Sequence, residues 1–212
     1  MDALSKIIHE VGQIFLVPCI AVLLIFVMIT LMQIGSLLIE YFMERRHMRA
    51  DVPILLDRMH GADAKSLHDL IADGGLLNRQ KAVLLTILET KLPELERLAL
   101  ARSLLTSEEK YYEKANLVTD LISKLGPMFG LLGTLIPLGP GVMALGEGNT
   151  LVLSQSLAIA FDTTIIGLLT AAFCYTISRI RAGWYDLYLQ TTETLMECLL
   201  EELKAGLKGS DS

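Results

Sequence analysis

The sequence predicts an all-α membrane protein with three transmembrane helices and long cytoplasmic helical extensions, and three observations carry that expectation. First, the 212-residue chain is 52% hydrophobic with mean hydropathy +0.50, too apolar for a soluble domain unless its charges are segregated. Second, they are segregated. Val11 to Ile39 carries no charge, Leu125 to Gly146 carries none, and Leu151 to Ser178 carries only Asp162. The first run, of about 29 residues, exceeds the roughly 20 that span a bilayer's hydrocarbon core. Third, no internal repeat, low-complexity tract or strand-like alternation of any length interrupts the helical spacing.

The first run is too long for the apolar part of a signal peptide, and no small-residue cleavage site follows it, so it reads as a retained anchor. Positive charge is held on the cytoplasmic side of a membrane. "MERRHMR" (Met43 to Arg49) follows span one, Lys124 precedes span two, and Arg179 and Arg181 follow span three. With three spans, all 18 Lys and Arg except Lys6 then fall on one side. The N-terminus is expected outside and the C-terminus in the cytoplasm.

This divides the chain into an N-terminal segment with transmembrane helix 1 (1–42), a cytoplasmic helical domain (43–124), transmembrane helices 2 (125–146) and 3 (151–178), and a cytoplasmic helical tail (179–212). Within the cytoplasmic domain, Gly74 and Gly75 are expected to end one helix and Asn78 to cap the next. Pro93 suits the first turn of a third helix. "TSEE" (Thr106 to Glu109) has the form of a capping box. From there Tyr111, Ala115, Val118, Ile122 and Leu125 keep helical spacing into span two, and Trp184 to about Leu207 continues span three as an amphipathic helix. "GEGNT" (Gly146 to Thr150) is the outside loop, too short for a binding domain.

Among residues able to do chemistry, Asp162 stands out, because an ionisable group deep in the bilayer is a functional-site hypothesis by default. At about 1.5 Å per residue from the outside loop, Asp162 and Thr134 lie roughly 18 Å deep and Thr164 roughly 21 Å. No Lys or Arg lies in any span. Asp162 is therefore either a proton-carrying or pore-lining acid, or a neutral acid hydrogen-bonded in a helix interface. At about 100° per residue, Asp162 and Thr164 face nearly opposite ways. Ser156, Ala160, Thr164, Gly167, Ala171 and Cys174 form a small-residue stripe suited to close helix approach or to a narrow lumen. Gly126 and Gly130 form GxxxG, with Gly133 and Gly167 as further packing positions.

The segment "GPMFGLLGTLIPLGPG" (Gly126 to Gly141) holds three prolines and five glycines in an uncharged span. Pro127 can kink the helix where it meets the membrane, and Pro137 and Pro140 lie on its outer half, where breakers are tolerable only if buried or facing a wet cavity. Other chemistries find no residues. His9, His47, His60 and His68 lack paired ligand spacing, no nucleophile stands beside a base, and the glycine-rich segment lacks the Lys-Ser/Thr ending of a phosphate loop. No catalytic residue, cofactor or metal is expected. The net charge of −6, with no basic cluster among aromatics, argues against nucleic acid. Cys19, Cys174 and Cys198 lack CxxC neighbours and are expected to be reduced, structural thiols.

"PMFGLLGTL" (Pro127 to Leu135) resembles the span-two signature of the MotA/TolQ/ExbB proton-channel family, and "TTIIGLLTA" (Thr163 to Ala171) resembles the signature of its last span. Order, spacing and three-span topology agree, and the length is similar to the ExbB/TolQ-like branch. The resemblance implies a homopentamer in a prokaryotic inner membrane, surrounding two copies of a single-span partner similar to ExbD, TolR or MotB, whose Asp carries the proton. Ion passage would rotate the pentamer around the partner. It places Thr134 and Thr164 on the pore as hydroxyls that donate and accept; Thr163 and Asp162 are the further candidate ion-pathway residues. Pro137 stands where the family often has another Gly. Ile159 stands where ExbB/TolQ-like proteins often have a Glu, which Asp162 is placed to replace from a neighbouring helical position. The competing expectations are a non-conducting helical scaffold and, with three spans and no inverted repeat to support it, a substrate transporter.

Overall fold

The computed structural model describes residues 10–42, 52–60, 64–90 and 92–210, and no strand occurs among them. Lys6, His9 and the basic segment from Met43 to Arg49 lie outside these residues. Among the described residues a short helical segment at 10–14 is followed by α1 (Leu16–Glu40), α2 (Val52–Met59), α3 (Ala64–Asp73), α4 (Asn78–Glu89), α5 (Glu94–Gly146) and α6 (Thr150–Ser210). At about 1.5 Å per residue, the 53 residues of α5 and 61 of α6 amount to roughly 80 and 90 Å of helix, far beyond a hydrocarbon core of about 30 Å. The chain forms two compact units. One comprises residues up to Leu37 with Asn116–Ile180, the other Leu38–Ala115 with Arg181–Ser212.

The first unit contains the apolar parts of α1, α5 and α6, the three helices long and apolar enough to cross a membrane. Its outward side chains are apolar: Val17 is 74% exposed, Met32 73% and Leu151 68%. That is the reverse of a soluble surface and suits hydrocarbon. Beside apolar side chains such as Leu23, Ile122 and Ile177, this unit buries small polar ones, Thr30, Thr119, Thr163, Thr170, Cys174 and Ser178, as expected where helices associate in lipid by close packing and hydrogen bonds.

α5 and α6 run antiparallel in one unbroken register. Asn116 Nδ2 donates to Ser178 Oγ (2.9 Å) and to the Ser178 carbonyl (3.2 Å) at one end. At the other end, a Cβ on Gly141 would meet Ser156 Cβ at 2.9 Å. Between them the backbones touch. A Cβ on Gly126 would lie 2.8 Å from the Gly167 carbonyl oxygen, and one on Gly167 would lie 2.9 Å from Gly130 Cα. Ser156, Gly167 and Ala171 of the small-residue stripe thus lie in the seam against α5, and α5 remains helical through Pro127, Pro137 and Pro140.

The reversal between α5 and α6 is tight. Asn149 N–H donates to the Ala144 carbonyl (2.8 Å) and Gly148 N–H to that of Leu145 (3.0 Å), with Gly148 at φ +79°. This is a Schellman ending, whose left-handed residue favours glycine. Asn149 Oδ1 then accepts from Val152 N–H at 3.3 Å, capping α6.

The second unit is an ordinary apolar core. Met59, Leu67, Ile71, Leu84, Ile87, Leu195 and Leu199 pack together at no more than 2% exposure. Tyr112 stacks on Tyr185 with centroids 4.6 Å apart, and Gln80 Nε2 donates to the Tyr188 carbonyl (3.0 Å). Arg79 forks onto Glu108 at 2.7 and 2.8 Å, and that pairing raises its pKa further. Arg181, which the sequence places only as a topological charge, pairs with Glu40 at 3.0 Å with its side chain 5% exposed. Cys19, Cys174 and Cys198 are free and buried. Burial, with Glu202 and Glu201 adding to it, pushes the Cys198 thiol up, which makes it a poor nucleophile.

Two local expectations are corrected. Asn78 does not cap α4: it is the first helical residue, and Leu77 takes the cap position, its N–H held by Gln80 Oε1 at 3.0 Å. The capping box at Thr106 does not form, because α5 has already begun at Glu94 and runs through it. Pro93 supplies the start instead, its carbonyl accepting from Arg97 N–H at 2.9 Å, with Glu94 and Glu96 suited to the positive end of the helix dipole. The helix-favouring run from Leu95 to Leu105 then leaves no reason to restart.

Gly167→Val should destabilise the hairpin by about 2 kcal/mol or more, since backbone cannot retreat as a side chain would. Gly183→Ala, with nothing within 4 Å of an added Cβ, should be neutral or stabilising by about 0.5 kcal/mol. Thermal unfolding in detergent measures both. Arg181→Met, which leaves the Glu40 carboxylate largely buried without its cation, should cost about 3 kcal/mol in the same assay.

Candidate functional site

The α5–α6 seam sorts the hydroxyls of the spans by how deeply it holds them. Thr163 sits inside it: a Cβ on Gly133 would lie 2.6 Å from both Thr163 Cβ and Oγ1, and Thr163 is 5% exposed. Its hydroxyl folds back on its own helix, within 2.9 Å of the Ile159 carbonyl and 3.0 Å of Ala160's. Only glycine at position 133 leaves room for that side chain.

Thr134 and Thr164 flank the same seam and are only half-buried. Thr164 Cα would lie 3.6 Å from a Cβ on Gly130, so Thr164 stands within about one helical turn of Thr134 along the hairpin. Thr134 Oγ1 donates to the Leu131 carbonyl (2.6 Å) and Thr164 Oγ1 to that of Ala160 (3.0 Å). With the hydrogen engaged, each oxygen still presents lone pairs. Asp162 is exposed on the outer side of α6 and Thr164 half-buried, in keeping with their angular separation along the helix.

The surroundings are free of fixed positive charge. Lys124, at the edge of span two, is engaged by Asp120 at 2.6 Å, and no Lys or Arg occurs from Leu125 to Ser178. A carboxylic acid or hydrated ion brought to the level of Thr134 and Thr164 would meet hydroxyls rather than a trapping cation. Gly126, Gly130, Gly133 and Gly167 are all contact points of the hairpin.

Three polar side chains from α1 and the segment just before it reach this hairpin, none of the contacts evident from sequence patterning. Gln13 Nε2 donates to the Ile136 carbonyl (3.1 Å), Cys19 Sγ to the Phe129 carbonyl (3.3 Å), and Thr30 Oγ1 lies 3.2 Å from Cys174 Sγ. Phe26 packs edge-on against Phe129 with centroids 5.7 Å apart. The available signal was the occurrence of polar side chains inside an otherwise apolar run, which in lipid implies a partner. It names neither the partner nor its helix.

A search of curated proteins found no match. Residues 66–194 match the MotA/TolQ/ExbB proton channel family. That stretch covers more than half of the chain and includes the whole α5–α6 seam with Thr134, Thr163 and Thr164. The chain is a multi-pass membrane protein and belongs to the MotA/TolQ/ExbB proton channel family.

Proposed function

We propose that this chain is the ion-conducting subunit of a pentameric rotary motor that turns ion-motive force, carried by protons, into work on a partner. The pentamer would surround two copies of a single-span protein of the ExbD, TolR or MotB kind, in a prokaryotic inner membrane. The segregated Lys and Arg residues favour an outside N-terminus and a cytoplasmic C-terminus. One observation carries the assignment of residues: Thr134 and Thr164 stand at one level, partly accessible, beside a seam that seals Thr163.

In this reading the two half-buried threonines face the ion path. Their oxygens accept from a protonated partner acid, and a hydroxyl can reorient to donate when that acid is ionised. Neither state is locked, as an ammonium or guanidinium would lock the anion. Asp162 serves as a second acid along the route. Thr163 helps to hold the wall, and its near-complete burial against Gly133 favours packing over direct solvation of an ion. The prolines shape the path: Pro127 at its cytoplasmic end, Pro137 and Pro140 at its outer mouth.

A non-conducting helical scaffold is the second reading, favoured by the number of span hydroxyls bonded to their own helix. The two separate in vesicles holding the protein with its partner. Thr164→Val should abolish gradient-driven ion flux while oligomer size is retained, and full flux in that variant would rule out the proposed role. Asp162→Asn should lower flux without affecting assembly. Unchanged flux in both Asp162→Asn and Thr134→Val, with assembly lost on a bulky replacement of Gly130, is the outcome a scaffold predicts.

A further inference from the structure

Proline at position 140 removes an N–H that would otherwise donate to the carbonyl of Ile136, one helical turn earlier. Where another helix packs against that carbonyl, as at this part-buried contact, water is kept from replacing it, and an unsatisfied carbonyl is costly. At that carbonyl, the side-chain amide of Gln13 arrives from another helix at 3.1 Å, from 123 residues away in sequence. We infer that Gln13 is a positioning residue that substitutes for the missing amide of Pro140, pinning the segment before α1 onto the outer half of α5.

The local chain is arranged to make this reach. Residues 10–14 are helical and are separated from α1 by a turn at Phe15, whose N–H bonds the Gly12 carbonyl at 3.2 Å. The helix resumes at Leu16 with Pro18 in its first turn, where a proline is tolerated. Six residues after Gln13, Cys19 makes the second donor contact to the α5 backbone, at Phe129. The two donors, six residues apart, meet carbonyls seven apart in the opposite sense, as antiparallel helices require. Gln13 is half-buried and is an amide rather than an acid, so it donates without bringing a charge into the membrane.

This has a consequence for the proposed channel, on which its functional part rests. Pro140 lies at the outer mouth, and a proline there leaves the mouth with an open backbone group unless a side chain closes it. Gln13 would let the mouth keep its proline geometry while α5 stays docked to α1.

The test is a double-mutant cycle on the full chain in detergent, reading the thermal unfolding midpoint of the wild type, Gln13→Leu, Pro140→Ala and the double variant. Gln13→Leu should lower the midpoint by about 3 °C or more while Pro140 is present. In the Pro140→Ala background, where a backbone N–H is again available to Ile136, the same change should shift it by less than about 1 °C. Equal shifts in the two backgrounds would overturn the inference. Gln13→Glu, of nearly the same size but unable to donate when ionised, should behave like Gln13→Leu at neutral pH; a wild-type midpoint would count against the donor role. Flux measured on the same four proteins keeps the two claims apart. Absent flux in the wild type, in vesicles that also hold the partner, refutes the channel, whereas absent coupling in the melts refutes the role of Gln13.

Discussion

The backbone contact between Gly126, Gly130 and Gly167 is the constraint on which the rest of the membrane unit depends. Apolar side chains gain nothing by leaving lipid for one another, so helices in a bilayer associate through close packing and hydrogen bonding. The absence of side chains at these three positions lets α5 and α6 approach so closely that a Cβ on Gly126 would lie 2.8 Å from the Gly167 carbonyl oxygen. That approach fixes the register from Asn116–Ser178 to Gly141–Ser156. Register in turn decides which hydroxyl is sealed and which is left at the edge. Thr163 falls opposite Gly133, while Thr134 and Thr164 fall beside the seam.

The fold was legible in the sequence to the extent that it is written in local periodicity. Uncharged runs, helical spacing and the absence of alternation are properties of neighbouring residues, and they predict the three span-forming helices and the unbroken passage of α5 and α6 from charged to uncharged sequence. Where the reading failed, a local pattern met a stronger neighbouring one. Thr106 to Glu109 has the composition of a helix start, yet a helix begun at Glu94 had no cause to stop before it. Asn78 is a favourable cap, but Leu77 with Gln80 takes the position one residue earlier.

The site was legible in a different way. The glycines and threonines of "PMFGLLGTL" and "TTIIGLLTA" suggest close packing and family likeness, but they do not separate packing hydroxyls from accessible ones. That distinction arises between helices, and spacing along one helix cannot supply it. The same limit hid Gln13 and the Thr30–Cys174 and Asn116–Ser178 contacts, each of which joins residues more than 60 positions apart. The buried Arg181–Glu40 pair was hidden for that reason too. The prolines were visible at once as breakers, whereas one means of tolerating them, a donor from another helix, needed coordinates.

In the proposed channel the hairpin seam seals Thr163 and leaves Thr134 and Thr164 to an aqueous ion path. Single cysteines placed at these three positions, with the native cysteines replaced, can be exposed to a small water-soluble thiol reagent in the assembled membrane complex while ion flux is followed. The account predicts modification at 134 and 164 accompanied by loss of flux, and protection at 163. Modification at 163 with protection at 134 and 164 would contradict it.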